Sequence, residues 1–265
     1  NSVAIGASAG FSRQNNNAIA IGNTAGYTGQ GSIAVAIGTN AGETSQGSAG
    51  VAIGYYAGKT SQETGAVAIG YTTAQITQKQ GAVAIGWSAG QTNQGIKSVA
   101  IGMTSGYTLQ SNGAVAIGDS AGYTNQGVNA IAIGKFAGLT NQGNNSIILN
   151  ATGSALEQST ANTFTVAPVR NDVANIAEVV FYNTTSKEVT YGNTISVAGN
   201  ITAGNISTGV ITLTYGAVIR DTAGNAVAFG EGAGTTSQGN AAVAIGKDAG
   251  TTTQGQWAVA IGTEA

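Results

Sequence analysis

Apolar residues recur along this chain in short alternating bursts and never at helical spacing. The commonest burst is A-V-A-I-G. Aligned on its isoleucine, the sequence gives Ile5, Ile21, Ile37, Ile53, Ile69, Ile85, Ile101, Ile117 and Ile133, each 16 residues after the one before. Leu149 keeps the phase but has lost the following glycine, and the pattern resumes at Phe229, Ile245 and Ile261, a whole number of periods further on. A fixed period of this length means that each unit is one element that cannot bury its own face, so units must stack.

One unit reads A-V-A-I-G-x-x-A-G-x-T-x-Q-G-x-x. Both A-V-A-I-G and x-T-x-Q alternate as strands do, and the A-G and Q-G dipeptides between them supply turns. Two short strands and two tight turns per 16 residues predict an all-β fold, a parallel β-solenoid or β-roll rising about 4.8 Å per coil. The predicted divisions are solenoid over 1–149, a non-repeat β module over 150–225 and resumed solenoid over 226–265. Within the module “NTFTVAPV”, “EVVFYN” and “EVTYG” read as strands and “NTTSKE” as a hairpin turn. The coil at 69–84 has Ala74 in place of the turn glycine and Ile76 in place of threonine, and reads as a tolerated variant.

Period two sorts each strand into faces. The residue two before the aligned isoleucine is Val or Ile throughout, and the pair is expected to form the solenoid core. The opposite face holds only Gly, Ala and Ser over many coils, which suggests close approach by something, and an intermolecular contact is expected there. The alternative is that it is merely the other side of a thin, flattened monomeric coil. In the second strand, threonine stands seven after the isoleucine in most coils. Glutamine stands nine after it in all: Gln14, Gln30, Gln46, Gln62, Gln78, Gln94, Gln110, Gln126, Gln142, Gln238 and Gln254. Shared parity predicts that Thr and Gln both point inward, where a stacked ladder satisfies the amides coil to coil. The intervening positions vary freely and read as solvent-facing, so Tyr27, Tyr107 and Tyr123 are candidate receptor contacts.

Composition narrows the function. The 265 residues include 42 glycines, no histidine, no cysteine and only 8% charged residues, with a formal net charge of −2. Low charge with high apolar content argues against disorder. The charge gives no basic footprint for nucleic acid, and no apolar run reaches the roughly 18 residues of a membrane span, so neither nucleic-acid binding nor membrane insertion of this segment is expected. Without His or Cys the commonest bases, nucleophiles and transition-metal ligands are missing, and the acids lack the spacing of a calcium loop. The expectation is therefore no catalytic residue, no cofactor and no metal. A glycosidase using two carboxylates, and an ice-binding solenoid using its threonines, are lesser readings.

“NSVAIG” and the recurrent “AVAIGxxAG” resemble the head repeat of trimeric autotransporter adhesins. That resemblance covers the solenoid stretches and implies a left-handed β-roll that associates as a homotrimer. This chain departs from it in its longer coil and in the x-T-x-Q-G strand. “NTFTVAPVRN”, “VVFYNTTSKEVTYG” and “GNITAGNIST” are similar to stretches in tail fibres and other structural proteins of bacteriophages and large algal viruses, which accounts better for the composite. The two together imply a non-catalytic fibre segment of a virion or phage tail fibre, extracellular, acting in host attachment through a cell-surface receptor or glycan. The head of a bacterial trimeric surface adhesin is the alternative. Because both ends cut through the repeat, a longer protein is expected.

Overall fold

A computed structural model describes residues 1–170, 179–192, 227–229, 232–234 and 239–265. Among these the protein is all-β, a parallel solenoid of 16-residue coils accompanied by a small antiparallel sheet. It divides into two compact units, Asn1–Ile176 and Ala177–Ala265.

In the first unit the A-V-A-I-G strands stack into one eleven-stranded parallel sheet running from Val3–Ile5 to Phe164–Ala167. Its register is the repeat itself: Val99 pairs with Val115, Ala100 with Ala116 and Ile101 with Ile117. The T-x-Q strands, Thr44–Gln46 to Thr124–Gln126, form a second parallel sheet of six, with Thr92 on Thr108 and Gln94 on Gln110. The sheet continues one coil past the last regular unit, since Ile147–Asn150 pairs with Phe164–Ala167. In the coil of Ile147–Asn150 a larger side chain is buried: Ile148 stands where the earlier coils have alanine. Asn150 replaces the glycine and donates through Nδ2 to the carbonyls of Lys135 and Ser154, both at 2.7 Å.

Glycine after the aligned isoleucine is a spatial necessity. At Gly102, φ is +126° and a Cβ would lie 2.7 Å from the carbonyl oxygen of Gly118 in the next coil. The variant coil keeps this register and its neighbours on both sides, with Thr60 and Thr92 flanking Ile76. Ala74 accepts the left-handed conformation of the missing glycine at φ +46°, and the buried Thr73 hydroxyl donates to the Gly86 carbonyl. No kink results.

In the second unit the hairpin predicted at “NTTSKE” joins Val179–Tyr182 to Val189–Gly192, with Asn183 Oδ1 accepting from the backbone N–H of Thr185 and Ser186 at 2.8 and 3.0 Å. Val227–Phe229, Val243–Ile245 and Val259–Ile261 then form a three-stranded parallel sheet in the same 16-residue register.

Candidate functional surfaces

The interior is built from small residues and one long amide. Ala18, Ala20, Ala34, Ala36 and their equivalents are fully buried, and so are Ser98 and Ser146. The Val and Ile of the same strands are not. Val3 and Ile5 of the first coil are exposed, those of the next few coils are half-buried, and Ile101 and Ile133 are 36% and 40% exposed. The expectation that Val and Ile form the core, with the Gly/Ala/Ser face outside, is therefore reversed. Two stacked sheets with full aliphatic cores sit about 10 Å apart. Here the glutamine side chain of one sheet reaches the backbone of the other, and the space left admits only methyl and hydroxymethyl groups.

That span repeats coil after coil. Gln46 Nε2 donates to Val35 O at 2.8 Å, Gln62 to Val51 O at 2.8 Å, Gln78 to Val67 O at 2.8 Å and Gln94 to Val83 O at 2.8 Å. Gln14, Gln30, Gln110, Gln126, Gln142 and Gln254 make the same bond eleven residues back. The amides also link to one another, Gln30 to Gln46 at 3.2 Å, Gln46 to Gln62 at 3.1 Å, Gln62 to Gln78 at 3.0 Å and Gln78 to Gln94 at 2.9 Å. A second run joins Gln110, Gln126 and Gln142. Gln30 Oε1 and Gln110 Oε1, at the head of each run, are the buried side-chain oxygens without a partner among the described residues. Gln238 lies outside the described residues.

Threonine does not accompany glutamine inward. Thr44 is exposed and Thr60, Thr92, Thr108 and Thr124 are half-exposed, while each Gln two residues on is buried. The residue between them is left-handed, for example Ser45 at φ +56° and Asn93 at φ +55°. This residue rotates the chain and cancels the parity on which a shared inward direction rests.

The outside therefore carries three kinds of column. One is the paired Val/Ile face, continuous along the first sheet. Another is polar and charged, with coil-to-coil pairs Lys79–Glu63 at 2.8 Å, Lys135–Asp119 at 3.2 Å and Lys59–Glu43 at 3.6 Å. The Glu63 carboxyl is held below the usual range chiefly by its hydrogen bond from Lys79. The third is aromatic. Tyr27 stacks on Phe11 at 5.1 Å, and Tyr107 on Tyr123 at 4.8 Å with the rings 3° from parallel; all three of these tyrosines are half-buried. A second aromatic column, two residues after the aligned isoleucine, holds Tyr55, Tyr71 and Trp87. Column reading overlooked it, because other coils place unrelated residues there.

Among the described residues no three His, Cys, Asp or Glu are placed to hold a metal ion, and no helix is long and apolar enough to cross a membrane. An open groove beside Glu63 is lined by Ser45, Gly47, Gln62, Thr64 and Gln80, and contains no nucleophile paired with a base. No family model, no curated protein and no solved structure matches this chain.

Proposed function

We propose that this chain is a non-catalytic structural segment of an extracellular fibre, of a virion or phage tail fibre, which associates as a homotrimer and carries host-attachment contacts on its outer surface. The observation that supports this reading is the Val/Ile face. A monomer of this fold buries alanine and glutamine and leaves its larger aliphatic side chains half in water, an extended apolar surface of the kind that marks an interface. The face also constrains its partner. Its side chains recur at the coil rise of about 4.8 Å, and a partner can stay in step along the eleven-stranded sheet only if it has the same rise. A second and third copy in parallel, in-register cyclic packing meet that condition at every coil. Three is the number that the adhesin-like repeat implies. A bacterial adhesin head would use the same packing; finding a membrane barrel anchor or a virion attachment domain in the same protein would separate the two.

The test is the particle mass in solution by light scattering coupled to size exclusion. The expected value is near three times the 25.9 kDa chain. Ile85→Asp, Ile101→Asp and Ile117→Asp combined should reduce it to one chain, because these exposed sites admit a charge in the monomer but not in a dry interface. A native mass of one chain would overturn the proposal. The outward threonine column favours one second reading, ice binding, which a single-chain rod with measurable thermal hysteresis would support.

A further inference from the structure

We infer that Tyr55, Tyr71 and Trp87 form a contact strip for a neutral glycan, an inference that rests on the attachment role proposed above. In the column two residues after the aligned isoleucine, the other coils of the first unit carry Ala7, Asn23, Thr39, Met103, Asp119 and Lys135, with Met103 following Trp87 and 50% exposed. The backbone therefore asks nothing of this position. Nevertheless three consecutive coils place large rings there, 40%, 50% and 61% exposed.

Contacts within the chain use only part of each ring. Tyr55 tilts against Tyr56 at 4.1 Å and stacks on Tyr71 at 5.1 Å and 17°, and Trp87 meets Tyr71 edge to face at 5.4 Å and 66°, yet all three rings of the strip stay exposed. Tyr107 and Tyr123 show what an internally satisfied pair looks like: nearly parallel and half-buried. A second copy of the chain is a poor occupant as well, since an in-register contact between copies would follow every coil of the sheet and these rings span three.

The surroundings specify the chemistry of the ligand. Next to Tyr71 the half-buried Thr72 carries an uncharged hydroxyl, held in place by the buried Ser88 hydroxyl 2.7 Å away. The nearby cation, Lys59, sits over the Tyr56 ring at 4.5 Å and is paired with Glu43 at 3.6 Å, so no unpaired positive charge invites an anion. A pyranose ring has an apolar C–H face for an aromatic surface and a rim of hydroxyls for Thr72 and the tyrosine hydroxyls, and matches this patch on both counts. Parallel chains in a trimer would present three strips, turning weak single contacts into avidity.

The experiment uses the full chain on a printed array of neutral hexose oligosaccharides alongside sialylated and sulfated ones, with particle mass measured for every variant. Binding to one or more neutral oligosaccharides is expected, reduced at least tenfold by Trp87→Ser and by Tyr71→Ser at unchanged mass. In Trp257→Phe, which leaves Trp87 the sole indole, the neutral glycan bound on the array should shift the emission saturably. Three-chain rods that bind no neutral glycan, or only sialylated and sulfated ones, would overturn the inference and leave the fibre reading standing. So would a lower mass in Trp87→Ser, which would make the strip a contact between copies. Single-chain rods that still lose neutral-glycan binding in Trp87→Ser would uphold the strip and sink the trimer.

Discussion

The two sheets of the solenoid use the same spacing to opposite ends. In Val99–Ile101 three consecutive extended residues alternate, so Val and Ile emerge on one side and Ala100 on the other. In Thr92–Gln94 the same i, i+2 pair emerges on opposite sides, because Asn93 between them is left-handed at φ +55°. The first sheet is a flat apolar surface over an alanine floor, and the second is a row of hooks that reach across that floor. Spacing locates a face only when the conformation of the residue between is known.

The strongest way to break the comparison is at the first sheet’s edge, where coils touch through glycine. Gly102→Ala puts a methyl against the Gly118 carbonyl at a φ of +126°, strained and without room. A loss of roughly 4 kcal/mol is expected. Since each coil contacts only its neighbours, the damage should be local. Limited proteolysis should cut near this coil, and a variant melting like the native chain would refute the stacking described above.

Next comes the tie between the sheets. Gln62→Leu removes donation to Val51 O and to Gln78 Oε1, and leaves Gln46 Nε2 without its acceptor on the next coil. About 2–3 kcal/mol should be lost. Gln94 donates to Val83 O and accepts from Gln78, but it heads no bond to Gln110, so Gln94→Leu should cost less by about 1 kcal/mol. Thermal midpoints by circular dichroism rank the two, and equal losses would show that amide-to-amide links contribute nothing.

These hooks explain how much was legible in the sequence. The period, the strands, the parallel register and the invariance of glutamine are carried by composition at fixed positions, and a repeat displays such columns many times over. Direction is carried by backbone conformation, which no column displays. Serine, asparagine, leucine and threonine all occupy the left-handed site, as Ser45, Asn93, Leu109 and Thr77 do. Burial normally follows hydrophobicity, which places Val and Ile inside, whereas a coil spanned by a glutamine hook leaves room mostly for alanine and serine. The aromatic strip was missed for a third reason. Reading columns for constancy hides three rings that break the pattern in adjacent coils.

The left-handed site itself offers a smaller test that sharpens the contrast between sheets. Leu109 holds φ +57° with its side chain largely in solvent, between coils that carry asparagine at the same position, Asn93 and Asn125. Asparagine tolerates this conformation better than leucine, so Leu109→Asn should add about 0.5–1 kcal/mol. Asn93→Val should subtract a similar or larger amount, since a β-branched residue fits this region worst. If the second sheet were regular, the signs would reverse, as valine favours extended strands. Urea midpoints of the two variants decide between these outcomes.

The smallest effect concerns the charges that line the coils. Lys79 Nζ lies 2.8 Å from Glu63 Oε1, and the Gln80 N–H donates to the other carboxylate oxygen at 3.0 Å, so the folded carboxyl titrates below its ordinary value. A lowered folded pKa stabilises the fold at pH above the unfolded carboxyl value, about 4.3, and the contribution disappears as pH falls through the folded value. Both side chains are more than 40% exposed, so the pair contributes only about 0.5 kcal/mol. Glu63→Gln should therefore lower the thermal midpoint slightly at pH 7 in low salt and leave it unchanged near pH 2. Added salt of about 1 M should shrink the pH 7 difference by screening. A difference that persists at low pH would mean that Glu63 acts through hydrogen bonding to the backbone turn, not through its charge, and that the column of ion pairs follows the coil rather than helping to hold it.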